Sequence, residues 1–447
     1  MPYIANTQND RQEMLETIGV STVEEMWEQT GIPAQKADLS ALPEGKSEME
    51  VLQYISELAG RNAADLSCFL GGGYYDHYTP AAVSDIAGRG EFLTAYTPYQ
   101  PEISQGTLQV IYEWQSSICR ITGMEVSNAS MYDGGTALFE SILMSIRQNK
   151  RNKVVIAGGV SPIFKEMIHC YNGNLGIELV EVPLSGSSTD PKKLLESVDK
   201  DTTCVVIQYP NFFGEYHDWT HFIAELKAHD KKIMTICSTY PTALALLKTP
   251  GEMGFDIVSG EAQCLGLPLA FGGPYLGFMA TTKKLMRKMP GRICGRTVDS
   301  QGRDGFVLTL QAREQHIRRE KANSNICSNQ GLCALSATVY LALMGEEGFK
   351  EVAQLSTSKA AFARELLGDI NGVEVVTGDN FFNEFVIETP MEANDLVGKL
   401  IEKGYAAGYP LGKYFPERKN QLLVAVTEKR TKEEIRGLAA AMEAVLC

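Results

Sequence analysis

Short apolar runs rich in β-branched residues recur along the middle of the chain, at 153–157, 177–182, 203–208, 232–237, 255–259 and 275–280. Helical patterns lie between most of them, one opening on Ser161-Pro162 as N-cap and first helical residue. Strand–helix–strand alternation of this kind predicts a mostly parallel sheet with helices on both faces, an α/β fold. Upstream, Leu108, Ile111, Gln115 and Ile118 recur at helical spacing and predict a helix over 104–122, and a second runs from Asp133 to about Asn149. The first 65 residues read as a helical arm. Ser21-Thr22-Val23-Glu24 and Ser47-Glu48-Met49-Glu50 match the capping-box pattern, and the second precedes Val51, Leu52, Ile55 and Leu58 at helical spacing. Gly31-Ile32-Pro33 and Leu42-Pro43 interrupt the arm, and the run Leu70 to Tyr78, with three successive glycines, reads as a close-approach loop. Residues 66–325 form the predicted large domain, with 289–325 an irregular basic connector around Arg292, Arg296 and Arg303. Residues 326–447 supply linking helices at 329–345 and 347–367 and a small α+β domain, with strands at 373–377, 382–388 and 421–426 and helices at 392–404 and 431–446.

Composition narrows the function classes. The 447 residues carry a net charge of −14, which argues against nucleic acid or an anionic membrane as partner, because phosphate contacts need a cationic face. No apolar run approaches the roughly 20 residues of a membrane span. The N-terminus has neither a secretory nor a presequence pattern, so the expectation is a cytoplasmic prokaryotic protein. The ten cysteines show no metal-ligand spacing and read as mostly buried thiols in a reducing compartment. No metal site is expected.

The order of elements resembles a fold-type-I pyridoxal-phosphate enzyme, with a seven-strand-type sheet. Such a site needs a glycine-rich helix N-terminus for the phosphate, a carboxylate at a strand end for the ring nitrogen, and a lysine after a strand. Ser130-Met131-Tyr132-Asp133-Gly134-Gly135-Thr136 supplies the glycines but sets Asp133 where a phosphate would sit. Ile233-Met234-Thr235-Ile236-Cys237-Ser238 has no acid, and Cys237 stands at the carboxylate position. Gly260-Glu261-Ala262-Gln263-Cys264 has no lysine, and none occurs between Lys248 and Lys283. Three requirements fail together, so the chain is expected to have the fold without a cofactor of its own.

That combination, with Thr94-Ala95-Tyr96-Thr97-Pro98-Tyr99-Gln100-Pro101-Glu102-Ile103-Ser104-Gln105-Gly106, Phe69 to Tyr78, and Ser324-Asn325-Ile326-Cys327-Ser328-Asn329-Gln330, resembles the glycine dehydrogenase (decarboxylating) family, the P-proteins of the glycine cleavage system, in its subunit 1 form. The resemblance covers essentially the whole chain. It implies an oxidoreductase complex in which a second subunit carries pyridoxal phosphate, glycine is decarboxylated, and the aminomethyl group passes to the lipoyl arm of the H-protein. This chain alone would be inactive. Its contribution would be residues lining the partner's site: Tyr96, Tyr99, Gln100, Ser104, Gln105, His77, Ser324 and Asn325.

Each feature also has a plainer reading. The 96–105 loop, read first as lining the partner's site, has a proline-pinned interface turn as its plainer alternative, and the 71–78 loop equally suits a glycine hinge. Ser324 and Asn325 reach a neighbour's phosphate or simply cap the helix that follows. Cys264 reads as a buried thiol rather than a nucleophile, since no base adjoins it. Arg313, Arg318, Arg319 and Lys321 dock an acidic carrier or form a solvated face. At the level of function, the alternatives are a scaffold or regulatory subunit, or an independent aminotransferase-like enzyme.

Overall fold

The computed structural model describes residues 5–31, 38–93 and 96–446. Ile32, Pro33, Thr94 and Ala95, named above, lie outside them. The chain divides into two units, 1–64 and 65–447.

Among its described residues the first unit holds three helices, α1 Gln8–Ile18, α2 Val23–Gln29 and α3 Glu48–Ala59. Ser47 and Glu50 form the expected capping box on α3. On α2 the cap falls one residue later than expected, with the Thr22 side chain accepting from the Glu25 amide. Met49, Val51, Leu52 and Ile55 of α3 are all exposed.

The second unit is built on a seven-stranded sheet. Its strands are β1 Val126–Ser127, β2 Lys153–Ala157, β3 Glu178–Val182, β4 Thr202–Tyr209, β5 Met234–Thr239, β6 Ile257–Glu261 and β7 Gly277–Thr281. They run in the order β1-β7-β6-β5-β4-β2-β3. Strands β2 to β6 are mutually parallel, and β7 is antiparallel to both β6 and β1. Every residue of β5, β6 and β7 is buried, as expected for strands covered on both faces. Helices α4 Gln105–Thr122 and α5 Gly134–Asn149 agree with their sequence pattern.

The stretch from 289 to 325 departs from the expected irregular connector. Ile293–Val298 and Asp304–Thr309 pair as an antiparallel hairpin. Arg296 and Asp304 meet across it at 2.6 Å, and Gly302 turns it at φ +79°. The hairpin is half solvent-exposed and carries charge in both strands, which diluted the apolar alternation. Arg313 is likewise not free to dock a carrier: its guanidinium donates to the carbonyls of Met289, Leu310 and Gly291. Arg318, Arg319 and Lys321 are exposed. The two expected linking helices are present within Gly331–Gly368, separated by a kink at Gly345 with φ 60°, ψ −169°.

The C-terminal part is a four-stranded antiparallel sheet, Glu374–Val375, Glu384–Glu388, Gln421–Ala425 and Tyr409–Pro410 in that order, backed by helices Ala393–Ile401 and Lys432–Leu446. Residues 67–69, expected at the start of the large domain, hydrogen-bond along Tyr405–Ala406 and Ala425 of this part instead. One buried acid then fastens the two parts. Glu384 takes the Gly72 amide on Oε1 at 2.6 Å and the Tyr75 hydroxyl on Oε2 at 2.7 Å. A Cβ on Gly71 would lie 2.0 Å from Glu384 Oε1, so the glycine run is there to let the backbone close on the carboxyl.

Burial pushes Glu384 up to about 7, despite the bonds from Tyr75 and Gly72 that favour its ionised form. A carboxyl raised in the folded state stabilises below its unfolded value and loses that contribution as pH rises through the folded one. Glutamine reproduces the protonated side chain. We expect Glu384→Gln to match the parent within about 1 kcal/mol at pH 5 and to exceed it by a few kcal/mol at pH 8, measured by urea unfolding at both pH values.

Candidate functional site

The place where an enzyme of this fold holds its cofactor phosphate is the N-terminus of α5. Asp133 caps it, accepting from the Thr136 amide and hydroxyl at 2.8 Å each. A second carboxylate is present that the sequence reading did not anticipate. Glu261, the last residue of β6, takes the Gly134 amide on Oε2 at 2.9 Å. Its Oε1 accepts from the amides of Gln263 and Leu276, both at 2.9 Å. Burial pushes Glu261 up to about 7, with those amide bonds pulling the other way. The Gly134 and Thr136 amides and the positive end of the helix dipole are therefore met from within the chain. The glycines leave no space beyond this: a Cβ on Gly134 would sit 2.9 Å from the Glu261 amide nitrogen, and one on Gly135 2.5 Å from Met167 Sδ.

The residues at the ring and lysine positions are equally engaged. Gln263 accepts from the Tyr75 amide at 2.9 Å and donates to the carbonyls of Tyr75 and Leu267 at 3.1 and 2.7 Å. Cys264 is fully buried, and burial pushes its thiol up to about 12, so it has no nucleophilic character near neutral pH. Cys237 is buried within β5 and is also raised by burial. The cavity that remains measures about 30 Å³, between Tyr75, Tyr240, Ser238, Glu261 and Glu384. That is room for about two waters, against roughly 300 Å³ or more for ligand pockets. Pyridoxal phosphate does not fit these residues.

His77, expected at a partner interface, lies inside this sealed region. It is 5% exposed, its Nδ1 is 2.6 Å from Glu428 Oε2, and its Nε2 bonds the Tyr240 hydroxyl. Both ring nitrogens are taken up within the chain. Glycine-rich sequence alone does not distinguish a loop closing on its own core from one facing a neighbour.

The other candidates form an outward face. Tyr96 is 86% exposed, with its hydroxyl 2.9 Å from Ser328 Oγ. Tyr99 is 44% exposed and its hydroxyl accepts from Arg292 Nη2 at 2.7 Å. Gln100 is exposed. Ser104 is the N-cap of α4 but makes no side-chain capping bond. Gln105 is spent on structure: it bonds the Pro101 carbonyl and both backbone groups of Phe306, at 2.6 to 2.9 Å, which ties the loop to the hairpin. Ser324 accepts from the Ile326 amide at 3.1 Å and Asn325 is exposed. Neither caps the following helix, whose N-cap is Gln330. The 324–330 segment is fastened beside the start of α5, since Asn329 and Gln330 donate to Ser130 Oγ and the Cys327 amide to the Tyr132 hydroxyl. Glu261, Glu384 and Gln263, which fill the cofactor position, were not among the residues expected from the sequence. Glu261 and Gln263 lay within the stretch searched for a lysine, and their position two residues apart beyond a strand was the available signal.

Comparison with known proteins bears on the fold and the family. The family model for the glycine cleavage system P-protein matches residues 1–442. A probable glycine dehydrogenase (decarboxylating) subunit 1 from Geotalea daltonii is 52% identical over 446 residues, covering 100% of both chains. Its namesake from Citrifermentans bemidjiense is 50% identical over 448 residues, again with both chains covered to 100%. A crystal structure of glycine decarboxylase (P-protein) of the glycine cleavage system, in inhibitor-bound form, superposes with a TM-score of 0.92 at 41% identity and 100% coverage of each chain. A glutamate decarboxylase from Lactobacillus brevis shares the fold alone, with a TM-score of 0.68 at 12% identity over 93% of this chain and 95% of its own. A family model matching residues 1–442 and relatives 52% and 50% identical over their full length lead to one conclusion: the chain belongs to the glycine cleavage system P-protein family, in its subunit 1 form.

Proposed function

We propose that the chain is the cofactor-free subunit of a glycine decarboxylase and works in the cytoplasm beside a second subunit that carries pyridoxal phosphate. Together they would release CO2 from glycine and pass the aminomethyl group to the lipoyl arm of the H-protein. The observation that carries this reading is the closure of the chain's own cofactor position to about 30 Å³ by Glu261, Glu384 and their partners. A chain that has the fold but no room for the group acts through another surface.

Pyridoxal phosphate supplies, when bound to the partner, a sink for the electron pair left as CO2 departs. This chain's task is to shape the surroundings. Tyr96 and Gln100 stand exposed on a proline-pinned loop, and phenol and amide groups of this kind suit a carboxylate or phosphate. A second subunit closing over the site also keeps water from the reacting carbon.

Purified alone and incubated with pyridoxal phosphate, the chain should stay colourless and yield no cofactor on lysine after borohydride reduction. A stable yellow product would support the independent aminotransferase-like alternative instead. In the assembled complex, Tyr96→Phe and Gln100→Ala should each lower glycine–bicarbonate exchange by roughly tenfold, the worth of a hydrogen bond to a charged group, while gel filtration shows assembly intact. Unchanged exchange would leave a purely scaffolding subunit.

A further inference from the structure

Arg292 is 2% exposed, yet its Nε and Nη1 have no hydrogen-bond partner. Its Nη2 donates to the Tyr99 hydroxyl at 2.7 Å, and its guanidinium carbon lies 5.2 Å from the Tyr99 ring centroid. The counter-charge is Glu314, whose Oε2 is 3.6 Å from Arg292 Nε, beyond hydrogen-bond length. Glu314 is itself 6% exposed and its Oε1 has no partner. His316 flanks both, with Nδ1 3.8 Å from Glu314 Oε2 and its ring 5.4 Å from that of Tyr99. Burying an arginine and a glutamate with unmet polar atoms is costly, and well-packed apolar residues often serve stability as well or better. Stability alone does not account for the pair.

The direction of the Tyr99 bond does. A guanidinium has only donors, so Arg292 donates and the phenolic oxygen accepts. The phenolic proton must then go elsewhere, and no acceptor for it occurs among the described residues. Tyr99 is 44% exposed, so that proton is available outside the chain. An adjoining positive charge strengthens an O–H group as a donor and favours an anionic acceptor.

We propose that Arg292 is a positioning residue that holds Tyr99 as an outward hydrogen-bond donor for an anionic oxygen, carboxylate or phosphate, of the ligand in the partner subunit's site. The inference rests on the reading that the 96–105 loop lines that site. Glu314 balances the charge of Arg292 without sharing its hydrogen bonds, which leaves the guanidinium committed to Tyr99.

The test uses the assembled two-subunit complex with Tyr99→Phe, Arg292→Met combined with Glu314→Gln, and all three together. Pairing the Arg292 and Glu314 changes avoids an uncompensated buried carboxylate. Tyr99→Phe also takes away the one hydrogen bond of Arg292, so gel filtration checks that its complex assembles, and the triple variant, which removes the buried charges as well, keeps the proposal testable if Tyr99→Phe alone fails to fold. A carboxylate acceptor predicts a KM for glycine raised roughly tenfold or more, with kcat little changed, as for binding lost equally in ground and transition states. A phosphate acceptor predicts normal KM but loss of pyridoxal phosphate on dialysis. In either case the paired variant should act in the same direction, and the triple variant should be no worse than Tyr99→Phe by more than about twofold, since one group acts through the other. A merely structural arginine would give additive effects. Unchanged KM and cofactor retention in Tyr99→Phe, or additivity, overturns the proposal. If Tyr96→Phe and Gln100→Ala lower exchange while Tyr99→Phe does not, only this inference fails. If none of the three has an effect, the reading of the loop fails with it.

Discussion

The organisation of this chain depends on the carboxylate of Glu261 resting on the N-terminus of the helix that starts at Gly134. A helix start presents unpaired N–H groups and about half a positive charge, and something anionic must answer them. In enzymes of this fold a cofactor phosphate does so. Here the answer comes from the end of a neighbouring strand, 127 residues along the chain. Because the same carboxylate also takes the amides of Gln263 and Leu276, it orders the stretch where a lysine would otherwise emerge. One side chain thus replaces the phosphate and closes the loop beyond it, and the domain has no structural need of a ligand.

A second acid extends the closure across the chain. Glu384 draws the glycine run at 71–72 and Tyr75 onto the C-terminal sheet, and Tyr75 in turn is bonded through its backbone to Gln263. Glu261 and Glu384 line the same small cavity, and burial raises both into the neutral range. Burial works against the ionised form of both acids while their amide and hydroxyl bonds favour it, which ties the stability of this region to pH more strongly than surface ion pairs do.

Much of this architecture was legible in the sequence because the central strands are buried on both faces and read as unbroken apolar runs. The 293–309 hairpin was not, since Arg296, Arg303 and Asp304 interrupt a pattern that is only half buried. The absence of Lys at 263–264 was visible directly. What replaced it was not, because the bonds made by Glu261 and Glu384 span 127 and 312 residues and leave no local periodicity. His77 shows the same limit. Its neighbours suggested an interface loop, while its partners, Tyr240 and Glu428, come from distant strands and turns. The exposure of Tyr96 and Gln100 was legible for the opposite reason: a proline-pinned run of phenols and amides has no use in a core.

Hydrogen-bond satisfaction distinguishes Glu261, Gln263 and Glu384 from the outward-leading pair Arg292 and Glu314. Each oxygen of Glu261 has a backbone donor, Gln263 uses both its amide atoms, and the two oxygens of Glu384 are each bonded. Such a network is complete, and a complete buried network rigidifies without needing anything further. Arg292 and Glu314 are as deeply buried but keep unmet donors and an unmet acceptor, and their one strong bond leads outward to Tyr99. A chain selected only as a scaffold gains nothing from that arrangement, because apolar residues would fill the same volume without the desolvation cost. The cost is intelligible if the bond is completed by a ligand that reaches Tyr99 from outside. The same chain then holds one site that has been closed from within and one group that remains open to a neighbour.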